Sequence, residues 1–103
     1  FFERYDVLLT PTLARGAYPH GEVIREIEGE RINAFAVSIF YTTAWNLTQQ
    51  PAATVPTGFD ADGMPTAIQI VGRHGAESTV FRVAAALEEA LPWAASQPAL
   101  VAE

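Results

Sequence analysis

The alternation of apolar and polar positions divides the chain into a series of readable segments. Tyr5-Asp6-Val7-Leu8-Leu9-Thr10 is a short apolar run closed by Pro11. It predicts a buried strand, because proline cannot donate to a continuing ladder. Residues 11–22, with Pro11, Gly16, Pro19 and Gly21, predict a loop. From Val23 to Ile32 charged and apolar residues alternate around Glu28-Gly29. That pattern predicts a small exposed β-hairpin, with a short helix as the alternative.

Asn33 is placed to cap a helix running from Ala34 to about Trp45. The helix sequence AFAVSIFYTTAW has no polar face, and a helix that is apolar all round must be covered all round. A chain of 103 residues can hardly supply that cover. Missing neighbours are therefore expected. Asn46 to Pro51 should end the helix. Ala53-Thr54-Val55-Pro56-Thr57 and Thr66 to Gly72 predict a two-stranded hairpin across the turn Asp60-Ala61-Asp62-Gly63. Pro56 places the first of these strands at an edge or at a bulge. Glu77 to Leu91 predicts an amphipathic helix, with Val80, Val83, Ala84, Leu87 and Leu91 on one face. Glu77 suits the positive end of its dipole, and Pro92 stops it. Residues 93–103 read as a tail.

Composition adds to this picture. Half the residues are hydrophobic and 17% are charged, against about 25% in ordinary domains. The shortage of polar surface again implies that part of the surface belongs against something else. The net charge is −6, with six scattered arginines and no lysine. Nucleic acid and anionic membranes reward clustered cations, so neither is expected as a partner. No apolar run is long enough to span a bilayer. The absence of cysteine excludes disulfides and thiolate metal sites and fits a cytoplasmic protein. The chain opens Phe1-Phe2-Glu3-Arg4, without an initiator Met or a signal pattern, which predicts a start in mid-protein.

Candidate chemistry is sparse. Ser38, Ser78 and Ser96 lie outside any nucleophile elbow. His20 and His74 each sit beside a glycine and read as exposed loop residues. A Ser38/His20/Asp6 triad can be drawn from the inventory, but no spacing supports it. There is no paired-histidine metal motif, and the acidic stretch Glu22, Glu26, Glu28, Glu30 reads as a solvated face. Asp60-Ala61-Asp62-Gly63 starts like a calcium loop but lacks its later ligands. No catalytic residue, metal site or cofactor is expected within these residues.

Three segments in order carry a resemblance. They are Tyr5 to Thr12 (YDVLLTPT), Thr42 to Gly58 (TTAWNLTQQPAATVPTG), and Asp62 to Arg73 (DGMPTAIQIVGR) with the helix from Glu77. Together they resemble the amidase signature family, the Ser-cisSer-Lys amidohydrolases, over nearly the whole chain. The resemblance implies an α/β fold, with a mixed sheet flanked by helices on both faces. This chain would supply a partial sheet and the last helices, as the C-terminal part of that fold. It implies a carboxamide hydrolase that needs no metal or cofactor, with a serine nucleophile, a bridging serine and a lysine base. Those residues belong to a Gly/Ser-rich stretch and a lysine that nothing here matches.

What the resemblance leaves to this chain is scaffold and one wall of the acyl pocket, implied at Ser38, Ile39 and Thr42. The amidotransferase branch of the family places an acidic residue at the position of Ile39. An isoleucine there cannot pair with an ammonium group, which favours uncharged amides. Gln49 stands where the family usually has glycine, which matters if that position has positive φ. Partners expected are the remainder of an amidase chain or a second copy of this one. A self-associating, non-catalytic module is the alternative, and an independent hydrolase built on His20 or His74 is a third.

Overall fold

The computed structural model describes residues 1–23 and 25–96. Ile24 and most of the expected tail, residues 97–103, lie outside the described residues. In chain order the elements are strand β1 (Val7–Pro11), strands β2 (Glu26–Ile27) and β3 (Glu30–Arg31), helix α1 (Ala34–Thr48), strands β4 (Ala52–Phe59) and β5 (Pro65–Gly72), and helix α2 (Glu77–Ala90).

The main sheet has the order β1-β5-β4, and both pairings are antiparallel. The resemblance implies a mixed sheet for the complete fold and only its late strands here; among the described residues those strands pair antiparallel. Proline explains the order. Pro11 ends β1 and Pro56 sits within β4, and both strands are edges, where a missing N–H breaks no shared ladder. β5 has proline only at its first residue and takes the centre. The ladder between β4 and β5 shifts register between Pro56 and Gly58. Pro56 thus meets both of its expected conditions, edge and bulge.

Successive residues of β5 face opposite sides, so each face takes its own helix. Ile70 packs with Val55 of β4 and Val80 of α2, bordered by Val7, Ala53, Val83, Ala84 and Leu87. Burying each of the three central side chains contributes about 1.5–3 kcal/mol. On the other face the Gln69 amide reaches the Tyr41 carbonyl of α1. The result is an α/β arrangement with helices on both faces. Gly72 allows the close approach of α2: a Cβ there would lie 2.7 Å from Val80 Cγ2. Leu91, expected on the buried stripe of α2, is instead its C-terminal cap and 41% exposed.

The 23–32 segment forms the expected hairpin rather than a helix. Glu28 (φ 51°) and Gly29 (φ 83°) are its two turn residues, and Ile27 pairs with Glu30. Two positive φ values in a two-residue loop match the twist of the flanking strands. The Asp60 turn also forms, with Asp60 Oδ1 accepting from Asp62 N and Met64 N at 3.0 and 2.9 Å. No cation is needed to hold it.

Helix α1 runs one turn beyond the expected Trp45, to Thr48. Asn33 caps its start, accepting from Ala36 N at 3.1 Å. Gln49 ends it in the left-handed region, at φ 57° and ψ 32°. Asn46 and Leu47 carry nothing that breaks a helix, so the backbone stops only at that conformational switch. No residue of α1 is buried. Phe35, Phe40 and Leu47 are 74%, 69% and 79% exposed.

Exposure extends to the whole molecule. The accessible surface is 7929 Å², whereas a self-contained protein of 11.1 kDa exposes about 5,700 Å². The radius of gyration is 15.6 Å, against about 13 Å for a compact domain of this length. The excess, roughly 2,200 Å², is the size of a large protein interface. The expectation that α1 lacks its cover is met in these residues.

Candidate functional site

Ser38, Ile39 and Thr42 occupy the middle of α1, with Ser38 and Thr42 one turn apart on the same side. The helix satisfies its own hydroxyls. Ser38 Oγ donates to the Ala34 carbonyl at 2.8 Å, and Thr42 and Thr43 Oγ1 both donate to the Ile39 carbonyl, at 3.2 and 2.8 Å. Thr48 Oγ1 donates to the Ala44 carbonyl at 2.9 Å. These back-bonds let four hydroxyls ride on an apolar helix without orphaned donors. The oxygens keep lone pairs free to accept from a ligand.

Ile39 and Thr42 are half-buried and Ser38 is exposed. Ser38 borders a cavity with Val37, Leu13, Ala14, Arg15 and Tyr18. Its volume, about 40 Å³, is far below the 300–1,000 Å³ of ligand pockets. What these residues offer is therefore a surface and not an enclosure. A wider groove of about 420 Å³ lies at the far end of α1, between Trp45, Gln49, Gln50, Glu77 and Phe81. None of the three predicted positions borders it. The Trp45 Nε1 donor is buried without an acceptor among the described residues.

No triad assembles. Ser38 is turned back onto Ala34, and His20 is exposed in its loop. His74 is exposed as expected, but its Nε2 lies 2.6 Å from the Thr48 carbonyl, in the last turn of α1. Carbonyls there have no intrahelical partner, and the ring supplies one.

One residue of consequence does not stand out in the sequence. Gln69 is 4% exposed, the only buried polar side chain among the described residues. Its Nε2 donates to Thr10 Oγ1 at 2.9 Å and to the Tyr41 carbonyl at 2.8 Å. The signal is an amide alone within the apolar strand Ala67-Ile68-Gln69-Ile70-Val71. A polar group in such a place must find partners. Which partners it finds depends on α1, and the sequence does not place that helix.

Among the described residues, then, a three-stranded sheet carries an apolar helix whose hydroxyls turn back on its own backbone, a segment of an α/β fold. Comparison with known proteins agrees. The sequence model of the family described as Amidase matches residues 1–81, and the chain belongs to that family. An acylamidase of Rhodococcus erythropolis is 39% identical over 96% of this chain. A 6-aminohexanoate-cyclic-dimer hydrolase of Paenarthrobacter ureafaciens is 36% identical over 94%. A glutamyl-tRNA(Gln) amidotransferase polypeptide of Geobacillus stearothermophilus is 41% identical over 96%. Among solved structures, a 6-aminohexanoate cyclic dimer hydrolase superposes with a TM-score of 0.80 at 36% identity, covering 94% of this chain and 22% of that one. A bacterial aryl acylamidase of the amidase signature family gives 0.75 at 36% identity, covering 90% and 20%. The chain spans about a fifth of the length of the curated relatives it matches.

Proposed function

We propose that this chain works as the C-terminal segment of an amidase that hydrolyses a carboxamide to carboxylate and ammonia, without metal or cofactor. Its own part is scaffold and one wall of the acyl pocket, formed by Ser38, Ile39 and Thr42. The serine nucleophile, the bridging serine and the lysine come from outside these residues. Its partner is the remainder of the amidase chain, and the location is the cytoplasm. Among the described residues no helix is long and apolar enough to cross a membrane.

The observation that carries this reading is α1. It is a fifteen-residue helix with no buried residue, in a chain of the amidase family that exposes far more surface than its mass requires. Phe35, Phe40 and Leu47 are the contacts the rest of an amidase would cover. Ile39 supports an uncharged amide as substrate, because an ammonium group beside it would lose its hydration and gain no counter-charge.

A chimera tests both parts. Residues 1–103 replace the matching segment of the Rhodococcus acylamidase, and turnover is measured on neutral and on ammonium-bearing amides. The expected result is hydrolysis of neutral amides, with Ile39→Glu shifting preference toward the ammonium-bearing ones. A folded chimera with no amide turnover would overturn the reading.

A further inference from the structure

Helix α1 is held to the rest of the molecule at few points, and two of them descend from β5. Gln69 donates to the Tyr41 carbonyl at 2.8 Å, and His74, just past the strand, meets the Thr48 carbonyl at 2.6 Å. Tyr41 and Thr48 are seven residues apart, so the two ties sit about two helical turns, roughly 10 Å, from one another. No residue of α1 is fully buried; Val37, Ile39, Tyr41 and Trp45 are half-buried, so the two hydrogen bonds act beside partial packing. Gln69 is different in kind from His74, because it is buried and holds two elements at once. The second N–H of the same amide goes to Thr10 Oγ1 of β1. An amide has two donors on one nitrogen in a fixed plane. Loading both, one toward an edge strand and one toward the helix, sets the distance and the rotation of α1 over the sheet.

We infer that Gln69 is the positioning residue for the Ser38, Ile39 and Thr42 wall, and so shapes the selection of acyl groups. Ile39 and Thr42 flank Tyr41 in sequence and share its turn of helix. Any shift of the Tyr41 carbonyl from β5 carries both with it. Gln69 touches no reacting atom on this account; it acts through the helix. The inference rests on the reading of α1 as a pocket wall. The tether itself follows from the two hydrogen bonds.

The experiment uses the complete amidase polypeptide that carries residues 1–103, comparing wild type, Gln69→Leu, Thr10→Val and Thr10→Ser. Two readouts are taken: hydrogen exchange along α1 and α2, and KM against kcat for a short-chain and a bulky-acyl amide. Gln69→Leu keeps most of the volume and removes both donors. It is expected to raise exchange in residues 38–46 while leaving α2 unchanged. It is also expected to raise KM for the bulky amide about tenfold, the worth of one or two net hydrogen bonds, with kcat on the short amide unchanged. Thr10→Val removes only the β1 acceptor and gives a smaller change of the same sign; Thr10→Ser restores wild-type behaviour. Should Gln69→Leu fail to fold, the Thr10 pair decides alone. Equal loss on both substrates, or exchange in α1 no faster than in wild type, overturns the inference. A wild-type polypeptide that folds but turns over no amide refutes the proposed function instead, and the exchange data then judge the tether by themselves.

Discussion

Replacing Gly72 tests how tightly α2 is seated on the sheet. Gly72 is buried at the end of β5, and its N–H donates to the Pro51 carbonyl at 2.9 Å. A methyl there would lie 2.7 Å from Val80 Cγ2, and 3.4 Å from both the Ala76 carbonyl and Pro51 Cγ. The two longer contacts can be absorbed, and the first cannot without moving α2 or rotating Val80. Overpacking of this kind, in Gly72→Ala, costs about 1–3 kcal/mol. Val80→Ala removes two methyl groups from the small core of Val55, Ile70 and Val80, at a cost of about 1.5–3 kcal/mol. In the double variant the methyl introduced at position 72 occupies the space that Val80 Cγ2 vacates. The clash disappears and part of the cavity is filled. The combined cost should therefore be about 2 kcal/mol rather than the sum of about 4, a coupling well above the roughly 0.3–0.5 kcal/mol scatter of independent sites. Urea melts of a polypeptide carrying these residues would read all three variants. Additive costs within that scatter would refute the claim that α2 meets β5 at this pair.

Two other substitutions follow from the caps of α1. Gln49 holds φ 57° without being glycine or asparagine, so Gln49→Gly should stabilise by about 1 kcal/mol, less the chain entropy glycine adds, and raise the thermal midpoint. Asn33→Ala removes the cap on Ala36 N and should cost about 1 kcal/mol, seen as faster exchange in the first turn of α1 and not in α2. Amide turnover by the 103-residue chain alone should be absent in a sensitive ammonia-release assay. Turnover abolished by replacing His20 or His74 would revive an independent hydrolase.

Much of the fold is legible in the residues themselves. Several element ends carry a local signal: Asn33 at the start of α1, Glu28-Gly29 in the hairpin, the Asp60 turn, Pro92 after α2. Boundaries drift where no such signal exists. The end of α1 moves from Trp45 to Thr48 because Gln49 adopts a left-handed conformation that its identity does not advertise. The sheet order is half legible. Pro56 points to an edge or a bulge, whereas the run before Pro11 reads as a buried strand and forms an edge strand with no buried residue; nothing local says that β1, distant in sequence, would pair with β5. The candidate wall is placed by resemblance rather than by pattern, since Ser38, Ile39 and Thr42 look like any other positions of an apolar helix. Gln69 escapes notice for a related reason. Its strand is plain, whereas its partners, Thr10 and the Tyr41 carbonyl, come together only once two separate elements are stacked on β5.

The most direct test of the account concerns the uncovered surface of α1. Hydrophobic dye binding and sedimentation would be measured on the isolated 103-residue chain, with a Phe35→Ser/Phe40→Ser/Leu47→Ser variant beside it. Those three residues are more than two-thirds exposed and contribute an apolar patch of the kind monomers avoid. Strong dye binding and concentration-dependent association, both reduced in the triple variant, are the predicted result. A monomer that leaves the dye dark would contradict it, because α1 would then be sheltered by this chain's own residues.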